Sequence, residues 1–228
     1  MSNVVFRNLA EIRSEAVRWL WEGRIPLGKV TLLEGEPGVG KSSMALELAA
    51  RVSRGAPMPC DRQELGTAPA NVVIFSGDDD LADTISPRLE AAHADLAHIW
   101  AIDGEIDRDD LARLKPSLLI IDPLPSYICL SCENSPVEVI RNLDHLARDT
   151  GTAILAIQSI GEDSGRHKDP EFYGTPRSIL HLTPVGHGGR RLAVAKSNLR
   201  HVPNIHPLVY YFDDEEGEVR IVNWSDGR

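Results

Sequence analysis

The chain has 228 residues, 42% hydrophobic and 25% charged, with a formal net charge of −10; that suits one core and is read as a single domain over residues 1–228. The acidic balance argues against a protein that coats nucleic acid over a broad face, though not against a narrow basic channel. No stretch approaches the ~20 apolar residues of a membrane span, the start MSNVVFRNLAEIRSE lacks the pattern of a secretion signal, and three cysteines make no disulfide framework, so a reducing cytoplasm is expected.

In chain order, Trp19 and Trp21 come first and are read as packing residues rather than a platform for a base. Residues 29–34 (KVTLLE) read as a strand and residues 41–54 as an amphipathic helix. Residues 71–76 form a strand that runs into Asp78, Asp79 and Asp80, and a helical stretch broken by Pro87 follows. Residues 98–102 make a short strand and residues 117–122 (SLLIID) a buried one. Cys129-x-x-Cys132, in a loop over residues 126–135 that has no basic residue, lacks the second ligand pair of a structural zinc and is read as incidental. Residues 137–150 place Val137, Ile140, Leu143, Leu146 and Ala147 at helical spacing before Gly151, and residues 152–158 (TAILAIQ) are again a buried strand. Beyond Arg177, residues 178–183, 190–197, 208–212 and 218–222 read as strands with short links and no helix between them. The fold class is therefore α/β: a mostly parallel sheet with helices on both faces and an antiparallel C-terminal extension at one edge.

GEPGVGKS, residues 35–42, matches GxxxxGK[ST] and lies between a strand and a helix, where the mechanism of that motif needs it. Glycines let the backbone curl so that several N–H groups face one anion, and the helix N-terminus adds its positive end. Gly35, Glu36, Pro37, Gly38, Val39, Gly40, Lys41, Ser42 and Ser43 are the expected contacts to ATP, with Lys41 reaching the β/γ-phosphates. The Ser42 hydroxyl is an expected Mg²⁺ ligand, and Asp122, which ends the apolar run SLLIID, would hold the same ion through water.

The three aspartates need sorting, because adjacent like charges repel. Asp80 has an acidic residue three positions on and is read as a helix N-cap. Ser86-Pro87 is read as a second helix start of the same kind. Asp79 is open between facing solvent and supporting the site. Asp78, nearest the strand, is the expected base that polarises the attacking water. A carboxylate there points to hydrolysis rather than transfer to a bound substrate, for which substrate and lid arginines are more usual.

The runs WLWEGRIPLGKVTLLEGEPGVGKSSMALELAARVSRGAPMP, SGDDDLADTISPRLEAAHADL and LLIIDPLPSY resemble the RecA-like ATPases related to the plasmid RepA-type hexameric replicative helicases, over roughly residues 19–212. The phosphate loop alone is unspecific; the DDxxDTxxPRLEAAxAD run is more particular to the group. The resemblance implies a RecA-like core, a homo-oligomeric ring of hexameric type with ATP between subunits, and action on single-stranded DNA. Two departures stand out. Relatives carry Glu-Asp where this chain has Asp78-Asp79, and a His pair where it has Gln158-Ser159. Gln158 is assigned either as a γ-phosphate sensor or as a glutamine that satisfies loop backbone. A Lys-x-Asn pattern falls on Lys196 and Asn198, which makes Lys196, with Arg200 in reserve and Arg177 as a second choice, the cation that would complete a neighbour's site. Arg166 and Lys168, in the polar stretch of residues 161–172, are the expected DNA contacts if that stretch is more than a surface loop.

Function follows as an ATP-hydrolysing motor domain on single-stranded DNA, helicase or helicase-like. The alternatives are a recombination or repair accessory ATPase and a slow, nucleotide-gated oligomerisation switch.

Overall fold

The structure, a computed structural model, describes residues 8–61, 66–131, 135–161, 170–199, 205–215 and 218–226. A hairpin of β1 (Trp19–Trp21) and β2 (Ile25–Pro26) leads into β3 (Val30–Gly35) and α1 (Lys41–Arg54). Then come β4 (Val72–Ser76), a π-helical turn (Leu81–Ile85), α2 (Ser86–Ala91), β5 (Ile99–Ile102), α3 (Arg108–Leu114), β6 (Leu118–Asp122), α4 (Leu124–Leu130), α5 (Pro136–Thr150) and β7 (Ala153–Ser159). The last part contains α6 (Pro170–Gly174), β8 (Ser178–Pro184), β9 (Arg190–Ser197), β10 (Leu208–Glu215) and β11 (Glu218–Asp226).

Among the described residues, nine strands form one sheet in the order β11-β10-β9-β8-β3-β7-β6-β4-β5. From β5 to β8 every pairing is parallel, and β9, β10 and β11 add on antiparallel, which is the expected fold class. One detail differs: β8 belongs to the parallel part, paired with β3 from Thr31↔Ser178 to Gly35↔Leu182, and the reversal starts only at β9.

Alternation along the strands builds two apolar layers. Leu33, Ile74, Ile120 and Leu155 face α1 and α2, whereas Leu32, Val73, Leu119 and Ile154 face α4 and α5. Strands apolar on both sides are what a parallel sheet covered on both faces requires. Trp21 is fully buried, donates its indole N–H to the Pro59 carbonyl at 3.2 Å and meets Trp224 edge-on at 6.0 Å, so it packs as expected.

Local signals act at the helix ends. The Asp80 carboxylate accepts from the N–H groups of Ala82 and Asp83, as an N-cap does. Ser86 is not a second cap: the π-helical turn runs straight into α2, so Ser86 is already helical and its N–H bonds the Leu81 carbonyl. Ser135 and Glu138 form a reciprocal capping box at the start of α5. The expected loop over residues 126–135 is in part α4, and the expected loop over residues 161–172 ends in α6. Among the described residues no helix is long and apolar enough to cross a membrane.

Leu155 is fully buried at the centre of the sheet. Leu155→Ala is expected to lower stability by about 3 kcal/mol, read from urea unfolding, because the closely packed layer cannot collapse onto the cavity.

Candidate functional site: the carboxyl edge of the parallel strands

β3, β4, β6 and β7 all end on one edge of the sheet, and the expected site residues lie there. The loop after β3 turns through Gly38 at φ 74° and Gly40 at φ 98°, the left-handed region that only glycine enters cheaply. A Cβ on Gly38 would meet nothing within 4 Å, so the backbone angle alone requires that glycine. α1 then starts with no side-chain cap. Its first-turn N–H groups, with those of the loop, form an anion cradle at the positive end of a 14-residue helix.

Lys41 is 7% exposed, and its ammonium donates to the carbonyls of Gly35 at 3.0 Å and Glu36 at 2.8 Å. Burial pushes its pKa down, and Asp122 opposes that shift. Asp122 is perturbed the other way. Burial raises its pKa, a hydrogen bond from the Ser42 hydroxyl lowers it, Asp79 raises it, Lys41 lowers it, and Asp78 raises it further. The Ser42 hydroxyl and the Asp122 carboxylate are thus brought together, as joint metal binding needs, and the open cradle beside them fits a nucleotide with Mg²⁺.

The three neighbouring aspartates take three different partners. β4 and β6 end in register at Ser76↔Asp122, and the Gly77 N–H donates to the Asp122 carbonyl at 2.8 Å. Asp78 therefore stands next to Asp122, exposed, with Oδ1 accepting from the Ser126 hydroxyl of α4 at 3.0 Å. Asp79 pairs with Arg88 at 3.1 Å, half-exposed. Asp80 serves the cap described above.

Gln158 is buried, and its Nε2 donates to Glu34 Oε1 at 2.5 Å and to the Tyr173 hydroxyl at 3.0 Å. Tyr173 also hydrogen-bonds Glu34; burial and that bond push its pKa up to about 12. The Gln158 amide thus lies in a buried Glu34–Gln158–Tyr173 network that ties the base of the phosphate loop to α6. Lys196 donates to the carbonyls of Tyr173, Gly174 at 3.4 Å and Pro176 at 3.2 Å, so its ammonium is engaged within its own chain at the end of α6. Reaching a neighbour would mean leaving those carbonyls. Arg177 is exposed, and its carbonyl accepts from Asn198 N–H. Arg200, Arg166, Lys168 and Cys132 lie outside the described residues.

Sequence reasoning passed over Glu34, Ser126, Tyr173, Arg190 and Phe212. Glu34 did leave a signal: it is a carboxylate inside an otherwise apolar strand, directly before the loop. Ser126 follows Asp122 by four positions but carries no motif, and the others come from far along the chain with no local mark.

The geometry is the nucleotide site of a P-loop ATPase on a RecA-like sheet. The chain belongs to the AAA domain family, whose sequence model matches residues 1–164 and so spans the phosphate loop, the aspartates and β7. It is also similar to the DNA repair protein RadA of Chlamydia trachomatis, 23% identical over 192 residues, covering 80% of this chain and 38% of that protein. The DNA repair protein RadA of Halalkalibacterium halodurans is 26% identical over 151 residues, 63% of this chain and 30% of that one. The matched part therefore spans well under half the length of these relatives.

Asp122 yields a prediction with a definite sign. An acid whose folded pKa is raised costs folding free energy once ionised, so its penalty grows as pH climbs through that pKa. Asp122→Asn should raise the melting temperature at neutral pH while weakening Mg²⁺-dependent ATP binding. In the wild type, the Mg²⁺-dependent part of binding should begin to fail on acidification at a higher pH than an ordinary carboxylate would give. Titrations across pH with both chains check it.

Proposed function

We propose that this domain hydrolyses ATP to drive work on single-stranded DNA as a ring of identical subunits with ATP between them. The observation that carries the hydrolytic half is the placement of Asp78 beside the Ser42–Asp122 pair, on the edge that also holds Lys41. Mg²⁺, when bound, would neutralise charge on the phosphates. Lys41 would hold the β/γ oxygens, and Asp78 would accept the proton of the attacking water. The Ser126 hydroxyl occupies one oxygen of Asp78, which leaves the other to face the water.

Between a replicative helicase and a recombination or repair ATPase, the similarity to the DNA repair protein RadA of two bacteria supports the second. The resemblance to RepA-type helicases supports the first. Lys196 and Arg200 are proposed for the neighbour's site, and Arg166 and Lys168 for DNA phosphates. Phosphate release measured with and without a single-stranded oligonucleotide tests the reading. Stimulation supports it; turnover indifferent to DNA favours the oligomerisation switch. Strand displacement on a forked duplex separates helicase from accessory.

Asp78→Asn should keep ATP affinity and lose on the order of 100-fold in turnover, whereas Asp79→Asn and Asp80→Asn should keep most of it. Asparagine caps a helix about as well as aspartate, so Asp80→Asn is the mildest change. Aspartate is one methylene shorter than the glutamate of the resembling family, and Asp78→Glu should speed hydrolysis. Steady-state phosphate release over the four variants decides, and unchanged turnover in Asp78→Asn removes the assignment.

A further inference from the structure

Arg190 belongs to no motif and lies beyond the matched family segment, yet it touches the phosphate loop. Its Nε donates to the Val39 carbonyl at 2.8 Å, across 151 positions of sequence. Nη1 donates to the carbonyls of Gly188 and Gly189 at 2.9 and 3.0 Å, which fixes the guanidinium from behind. The guanidinium carbon sits 5.4 Å from the centre of the Phe212 ring. That ring closes on the loop in turn: a Cβ on Gly40 would lie 2.5 Å from Phe212 Cζ. β9 and β10 pair at Arg190↔Tyr210, so both side chains come from adjacent antiparallel strands.

A peptide unit is planar and trans, with its C=O and N–H pointing opposite ways. Holding the Val39 carbonyl therefore sets the direction of the Gly40 N–H, which turns away from Arg190. Among the described residues that N–H has no acceptor. It belongs to the run of backbone donors that faces an anion in a loop of this type. At φ 98°, Gly40 has no side chain to limit its own motion, so an outside restraint is needed to keep the donor aimed.

We propose that Arg190 is a positioning residue for nucleotide binding: it locks the Val39–Gly40 peptide so that the Gly40 N–H points into the phosphate cradle, while Phe212 shuts the outer side. The proposal rests on the nucleotide-binding half of the proposed function and is indifferent to DNA. The antiparallel extension is then part of the ATP site, not an appendage to the sheet.

The test is titration calorimetry with ADP·Mg²⁺ on the full chain, beside thermal unfolding. Arg190→Ala should weaken ADP binding about tenfold, the scale of one charge-assisted hydrogen bond, with the melting temperature little changed. Arg190→Gln keeps an N–H donor without the charge and should recover most of that loss. Unchanged ADP affinity in Arg190→Ala overturns the proposal. Recovery by Arg190→Lys but not by Arg190→Gln overturns it too, because the charge and not the aimed peptide would then carry the effect. If Arg190→Ala does not fold, Arg190→Met, which fills the space without a donor, takes its place: a tenfold loss that Arg190→Gln recovers supports the proposal, and unchanged affinity overturns it. Failure of the wild type itself to bind ADP would instead overturn the nucleotide reading, and this inference with it.

Discussion

Carboxylates crowded at the end of a buried sheet are the constraint on which the rest depends. Burial is the main cause that holds the Asp122 pKa up, and Asp79 and Asp78 add to it. Only the Ser42 hydroxyl and the Lys41 ammonium oppose them, helped by the positive end of α1. Isolated, such a group would be lost to protonation or to solvent. Here it is held because β4 and β6 are locked in register and the Gly77 N–H bonds the Asp122 backbone. The two apolar layers exist, in this sense, to keep two strand ends side by side.

The same tension distributes the neighbouring charges. Arg88 pairs with Asp79, the cap on the π-helical turn takes Asp80, and the Ser126 hydroxyl donates to Asp78. Lys41 is buried against loop carbonyls and pulled toward deprotonation by its surroundings, with Asp122 opposing. A second polar layer lies beneath, where Glu34, Gln158 and Tyr173 share one network at the ends of β3 and β7. Buried networks of this kind are rigid when fully satisfied, and this one joins the loop to α6. Lys196, which bonds the carbonyls at the end of α6, extends the connection to β9.

Much of this was legible in the sequence, for identifiable reasons. Long apolar strands, the phosphate-loop spacing and the run into Asp122 carry their structure locally, and so does the Asp80 cap. What escaped depends on contacts distant in sequence or on short elements with weak periodicity. α4 begins next to two prolines and has a single turn's worth of pattern, so LPSYICL reads as loop until packing against β6 makes it helical. α3 is equally short and α6 is shorter still. The direction of β8 was hidden because a strand's partner is not written in its own alternation. Gln158 stands out at its strand end, but its amide meets Glu34, 124 positions earlier, and no local pattern predicts that.

The proposal on which the others rest is that this edge binds and cleaves a nucleoside triphosphate through Lys41, Ser42, Asp122 and Asp78. Phosphate release from ATP by the wild type and by Lys41→Ala, each with Mg²⁺ and with a chelator, tests it most directly. Mg²⁺-dependent release by the wild type and almost none from Lys41→Ala is the expected result, because that cradle has lost the ammonium proposed to hold the β/γ oxygens. Equal release from the two chains, or release that ignores the chelator, would contradict it.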